Sequence, residues 1–353
     1  MLKRKSGLWR VRLLLFVSFV LVSMRTNCPS FRDPSSGAVK SYQCEDPSLL
    51  LVVLTQSRRG SLLRLLSSLA ASEYGCASVD LCVHVDMFEG DVAVVQELVD
   101  EIDSVIWPHG RKTIIRKFGQ RGLANSWFES VYNVDHTYVS ILEDDMEVSH
   151  HFYNFLRLLH SNHALTGDRV SGLCLHPDDW AVGIKLACRG EHSRYLYKSP
   201  EPCNWGPVWK AEHWRDFITW VFQLKSRAEL PFVEDAFSYN FNSYLEVGAD
   251  VQSSWVWRYN LDHNIVNVRY RFRGCVGAEL ASYFAINHKE AGLHFQHKLH
   301  LNNEPSLLQL DWKRVEQQLQ TENYAFIPAP FANEMLDQPP RHVSHKKKKK
   351  QRN

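Results

Sequence analysis

The sequence has no Cys-x-x-Cys pair and no cysteine–histidine grouping at zinc-finger spacing, which argues against a structural zinc module. It has no Asn-x-Ser/Thr acceptor, so N-glycosylation offers no support for a lumenal location. Long apolar runs are scarce. Only Leu13–Met24 resembles a membrane span, which excludes a multi-span membrane protein. No internal repeat is visible, and Lys346–Lys350 is the one low-complexity tract. Acidic residues are missing from both ends: residues 1–12 carry five Lys/Arg and residues 341–353 carry seven, with no Asp or Glu in either. Since the whole chain sums to +2, the body between them carries −10. A nucleic-acid binder concentrates positive charge on its folded domain, so this distribution argues against that class.

The 353 residues include 12% aromatics, too many for a wholly disordered chain, and provide for one large domain or two medium ones. Five cations precede Leu13–Met24, and no small-x-small cleavage site follows. This pattern predicts a cytosolic basic tail at 1–12, an uncleaved signal anchor at 13–24 and a polar stem at 25–47. The expected topology is single-pass type II in the Golgi or ER membrane, with the body lumenal and a disordered basic tail at 328–353. Eight cysteines agree with that compartment and permit up to four bridges, whose connectivity the sequence does not give.

From Leu49 onward, apolar runs alternate with helical periodicity. Leu49–Leu54, Val79–Val85, Thr113–Phe118 and Tyr138–Leu142 read as strands. Between them, Leu62, Leu65, Leu66 and Leu69 mark a first helix with Ser61 as its cap. Val92, Val95, Leu98, Ile102 and Val105 mark a second, and Leu123, Trp127, Val131 and Val134 a third. The alternation predicts an α/β domain over 48–327, with a mostly parallel central sheet. Ligands of such sheets bind beyond the carboxyl ends of the strands. Those ends hold Thr55 to Arg59, Asp86, and Glu143-Asp144-Asp145.

Three adjacent carboxylates after a buried strand repel one another unless a cation sits among them. A hard divalent ion answers this, Mg2+ or, with a nitrogen ligand, Mn2+. Strand alternation points Glu143 and Asp145 to one side and Asp144 to the other, with Asp145 projecting furthest as the metal ligand. Trp205 and Trp209, in a Gly/Pro-punctuated loop, are candidate aromatic walls for the apolar face of a ligand.

At these residues the chain resembles the nucleotide-sugar glycosyltransferases of the GT-A fold, and among them the N-acetylglucosaminyltransferase I-like enzymes. The resemblance runs from about Leu49 to His300 and is densest over Leu49–Tyr153. It rests on the acid triplet with its following aromatic helix (Phe152, Tyr153, Phe155, Leu156), on Leu54 to Arg59, on Val83-His84-Val85-Asp86 and on Arg121-Gly122-Leu123-Ala124. It implies a GT-A, Rossmann-like domain that takes a UDP-linked nucleotide-sugar donor and a glycan or glycoconjugate acceptor. Thr55, Arg58, Arg59, Asp86, Arg121, Glu143, Asp144, Trp205 and Gly206 would hold the donor, the arginines serving its diphosphate. Asp145 would ligate the metal with His294, His297 being second choice. Asp235 or Glu234 would take the acceptor proton, with Asp178-Asp179 as the rival pair. Two other classes fit the residues less well. A sugar nucleotidyltransferase needs a Gly-rich triphosphate loop, and Thr55–Gly60 has a single glycine. An inactive sugar-binding protein of the same fold predicts broken metal ligands, whereas the triplet is intact.

Overall fold

The structure is a computed structural model that describes residues 44–56, 58–87, 92–119, 122–176, 196–233, 242, 245, 248–270 and 285–287. The expected anchor at 13–24 and the basic tails lie outside these. Among the described residues, no helix is long and apolar enough to cross a membrane. The chain divides into two units, residues 1–46 with 75–77 and residues 47–74 with 78–353. In the first, a disulfide joins Cys44 to Cys76, and Asp46 Oδ2 accepts the Cys76 amide at 3.2 Å. All the elements below belong to the second.

The expected strands form. β1 (Leu49–Thr55), β2 (Val79–Met87), β3 (Lys112–Phe118) and β4 (Tyr138–Glu143) are joined through α1 (Arg59–Ala70), α2 (Val92–Ser104) and α3 (Leu123–Phe128). Beyond them come β5 (Met146–Val148), α4 (Phe152–Ser161), β6 (Val170–Cys174), β7 (Leu196–Ser199), β8 (Pro207–Lys210) and α5 (Ala211–Ser226). α6 (Gln252–His263), β9 (Val266–Tyr270) and β10 (Ala285–Asn287) follow. The main sheet has the order β3-β2-β1-β4-β8-β6-β9-β7, and β10 pairs with β5 in a second, two-stranded sheet. β1 is parallel to β2 and β4, β2 to β3, and β6 to β9, whereas β8 runs against both β4 and β6, and β7 against β9. The sheet is therefore mixed. Its β3-β2-β1-β4 half is purely parallel, as the apolar runs predicted.

Strand alternation sorts the core. Val52, Leu54, Val139 and Ile141 share one apolar cluster with Trp127 and Phe128 of α3, Trp214 and Phe217 of α5, and Trp255 and Tyr259 of α6. Leu51, Val53 and Leu142 are equally buried and belong to the opposite face. Lys112 Nζ donates to the carbonyls of Ile102, Asp103 and Val105, satisfying the exposed end of α2. α6 ends at Asn264 in the left-handed conformation, a common helix stop.

Three expectations change. α1 begins at Arg59 with Arg58 in the capping position, so Ser61 is a buried residue of the first turn and not a cap. α3 is a six-residue helix: Val131 and Val134 are buried beyond its end, and Leu123 is exposed. Trp209 is packed in the core, stacked on Phe217 at 5.5 Å, and is unavailable as a sugar wall.

β6 approaches β8 at a glycine. A Cβ on Gly172 would lie 1.9 Å from the Val208 carbonyl oxygen, which belongs to the backbone and cannot swing away. Gly172→Ala is therefore expected to cost about 1–3 kcal/mol or more of stability, read by chemical denaturation. An unchanged midpoint would contradict this packing.

Candidate functional site

Between β1 and its two neighbours the chain reverses its direction of travel: from β1 it moves outward to β2 and β3, then returns to β4 on the other side. Crevices of this kind open beyond the carboxyl ends of the strands flanking the reversal. Here those ends are Thr55 and Arg58 after β1, and Glu143, Asp144 and Asp145 at the end of β4. β6 and β9 run parallel to β4, and β8 antiparallel. The Trp205-Gly206 segment that leads into β8 is thereby brought to the same edge.

The acids divide between the two faces of the sheet. Glu143 lies on the Ile141 face, where its Oε1 accepts Trp127 Nε1 of α3 at 3.2 Å and Gln252 Nε2 of α6 at 3.4 Å. Asp144 lies on the other face, taking the Thr55 hydroxyl at 2.7 Å on Oδ2, while its amide donates to the Leu54 carbonyl at 3.1 Å. Asp145 acts on both neighbours: beyond the effect of burial, its charge raises the Glu143 carboxyl, and it shares Arg58 with Asp144. β4 ends at Glu143, and in the turn that follows Asp145 joins Asp144. One side chain bridges the two: Arg58 Nη1 donates to Asp145 Oδ2 at 2.8 Å, and Nη2 is ion-paired with Asp144 Oδ1. Oxygens of the three acids do not all converge within 4.8 Å of one another.

Burial pushes the Glu143 carboxyl up to about 7, helped by the negative charge of Asp145 and opposed by the Trp127 hydrogen bond. Burial also raises Asp144, against the Thr55 hydroxyl and the Arg58 charge. Burial works against the charged form of Arg58, but Asp144 and Asp145 outweigh it and hold the guanidinium above its ordinary value.

The other predicted donor residues are dispersed. Asp86, at the end of β2, accepts the Ser126 hydroxyl of α3 at 2.6 Å. Arg59 is ion-paired with Glu101 of α2 and does not join the acids. Trp205 sits edge-on to His176 at 4.8 Å, and the Gly206 carbonyl accepts the Leu175 amide at 2.9 Å. Arg121, Asp178, Asp179, Glu234, Asp235, His294 and His297 lie outside the described residues. His84 is buried and held neutral, down to about 4, first by burial and then by the Lys117 charge.

Several supporting residues were not found by reading the sequence. Asn260, Asn267 and Arg269 are buried and donate to the carbonyls of Pro200, Glu201 and Pro202, fixing the loop that leads to Trp205. The Cys174–Cys203 disulfide ties the same loop to the end of β6. Lys225 of α5 donates to Asn125 of α3 and to Asp250 before α6, each at 2.8 Å. It thereby ties together the two elements that supply Trp127 and Gln252 to Glu143.

The Glu143 shift carries a definite sign. Its carboxyl titrates near 7 in the folded chain and near 4.5 when exposed, so between these values the unfolded chain gives up its proton first. Stability of the metal-free protein should therefore fall as pH rises from about 4.5 through 7. Glu143→Gln should flatten that fall, measured by chemical denaturation at pH 5 and pH 8 with a chelator present. An identical pH slope in both proteins would contradict the burial argued here.

No family model matches the chain, and no curated protein matches it. Solved structures similar to it include the mannosyltransferase PcManGT from Pyrobaculum calidifontis in complex with GDP-Man and Mn2+. That likeness has 13% identity and a TM-score of 0.34, over 59% of this chain and 53% of that one. Another is S. aureus TarS 1-349, with 10% identity and a TM-score of 0.36 over 64% and 59% of the two chains. The UDP complex of TarS 1-349 matches with 10% identity and a TM-score of 0.31 over 46% and 47%. This chain thus spans about half the length of the solved structures it matches. The likeness is loose, and no residue here takes its role from it.

Proposed function

We propose that the chain is a metal-dependent glycosyltransferase that moves a sugar from a nucleotide-sugar donor, UDP-linked, to a glycan or glycoconjugate acceptor. The observation that carries this reading is the placement of Asp144 and Asp145 at the reversal point between β1 and β4, with Thr55 and Arg58 facing them across it. Oxygen donors of this kind suit Mn2+ or Mg2+. When bound, the ion would neutralise charge on the departing diphosphate.

In this reading Asp145 is the metal ligand contributed by the turn after β4, and His294 joins it from the C-terminal segment. Asp144, Glu143, Thr55, Asp86 and Arg121 hold the nucleoside and diphosphate, and Trp205-Gly206 borders the transferred sugar. The transfer forms a bond between the acceptor oxygen and the anomeric carbon. It breaks the bond from that carbon to the diphosphate oxygen, and Asp235 or Glu234 takes the acceptor's proton. The anchor at 13–24 would hold the body in the Golgi or ER lumen, with the basic tail at 1–12 left in the cytosol.

The test is a screen of the protein against several nucleotide sugars, with and without Mn2+, scoring donor binding and hydrolysis. One donor should respond in a metal-dependent way. Asp145→Asn, which keeps shape and removes charge, should lower turnover by orders of magnitude while the fold survives. Glu147→Gln, on β5 beside Arg64, should change it little. Failure of every donor to bind or react with metal present would defeat the reading.

A further inference from the structure

Arg58 stands where a helix rarely places a cation. Ser, Thr, Asp and Asn are the favoured capping residues, and α1 has neither a side-chain cap nor an acid in its first turn. The positive end of the helix dipole also disfavours a guanidinium there. A local rule broken this way, with the residue kept in place by a site, points to a role in that site.

The carboxylates and the guanidinium are held very differently. The Asp144 and Asp145 side chains are 1% and 7% exposed, and Asp144 is fixed independently by Thr55 and by its own amide. The Arg58 side chain is 32% exposed and reaches in from solvent. Among the described residues, the two carboxylates are its guanidinium's only hydrogen-bond and ion-pair partners. The acids are built in, and the cation between them can leave. Two buried carboxylates left charged with no cation beside them would be strongly destabilising, so their charged state favours a positive charge in that position.

We propose that Arg58 is a displaceable internal counter-ion: it occupies the position between Asp144 and Asp145 and competes for it with a divalent metal ion. The inference rests on the glycosyltransferase reading only for the identity of the incoming ion. Its consequence is a weak apparent metal affinity, because the competent state is populated only while the guanidinium is away. If Arg58 occupies the pair nine-tenths of the time, the apparent Kd is about tenfold above that of the open pair. Released Arg58 would be a free cation beside the helix end.

The experiment titrates the full chain with Mn2+ alone, following free ion by electron paramagnetic resonance. The proteins are wild type, Arg58→Met, Arg58→Lys and Asp145→Asn. Arg58→Met should bind Mn2+ about tenfold more tightly than wild type. Its thermal midpoint should be lower without metal and should rise further on adding Mn2+. Arg58→Lys, which keeps the charge but cannot span both acids, should fall between and serves if the Met variant does not fold. Binding by Arg58→Met where wild type shows none would support the proposal equally. Unchanged or weaker affinity in both Arg58 variants, with binding still abolished by Asp145→Asn, overturns the counter-ion and leaves the metal site standing. No Mn2+ binding by any of the four overturns both.

Discussion

Two carboxylates buried side by side at the end of a strand cannot both stay charged without a cation between them, and here one guanidinium spans the pair. Much of the surrounding architecture serves that arrangement. β1 and β4 are adjacent because the crossovers run outward from β1 and then return, which puts Thr55, Arg58 and the acid turn on one edge. The short turn after Glu143 ends the alternation of β4 and sends Asp145 towards Arg58. Glu143, on the Trp127 side of the sheet, is half-buried against Trp127 and Gln252 and holds its proton to a higher pH.

The non-parallel half contributes position more than chemistry. Arg269, Asn267 and Asn260 each direct a side-chain amide or guanidinium at a carbonyl between Pro200 and Pro202, so that loop is fixed by buried donors with few alternatives. The Cys174–Cys203 bridge adds a covalent restraint. Together they hold the approach to Trp205 and Gly206. Lys225 acts similarly on the other face, lying over the rings of Phe128 and Trp255 while binding Asn125 and Asp250. The acids are thus set between two rigid supports.

The parallel half was legible because a strand buried on both faces must read as a short apolar run, as Leu49–Leu54 and Tyr138–Leu142 do. The acid triplet was legible because charge at such a strand's end needs a reason. Other features depend on contacts distant in sequence. Trp209 reads as an exposed loop aromatic until β8 is seen wedged between β4 and β6. Arg58 and Arg59 are indistinguishable as text, yet one reaches the acids and the other turns to Glu101, since successive residues at a helix start project in different directions. Gln252 lies 109 positions from Glu143 and carries no local signal. Cysteine pairing is likewise a property of the folded chain.

The central claim is that the position between Asp144 and Asp145 is a cation site at the mouth of the fold's reversal point. Anomalous diffraction from crystals of the protein soaked in Mn2+ tests it most directly. The account predicts a manganese peak in contact with Asp145, with the Arg58 guanidinium withdrawn from the pair. A peak elsewhere, with Arg58 still bridging the two carboxylates, would contradict it.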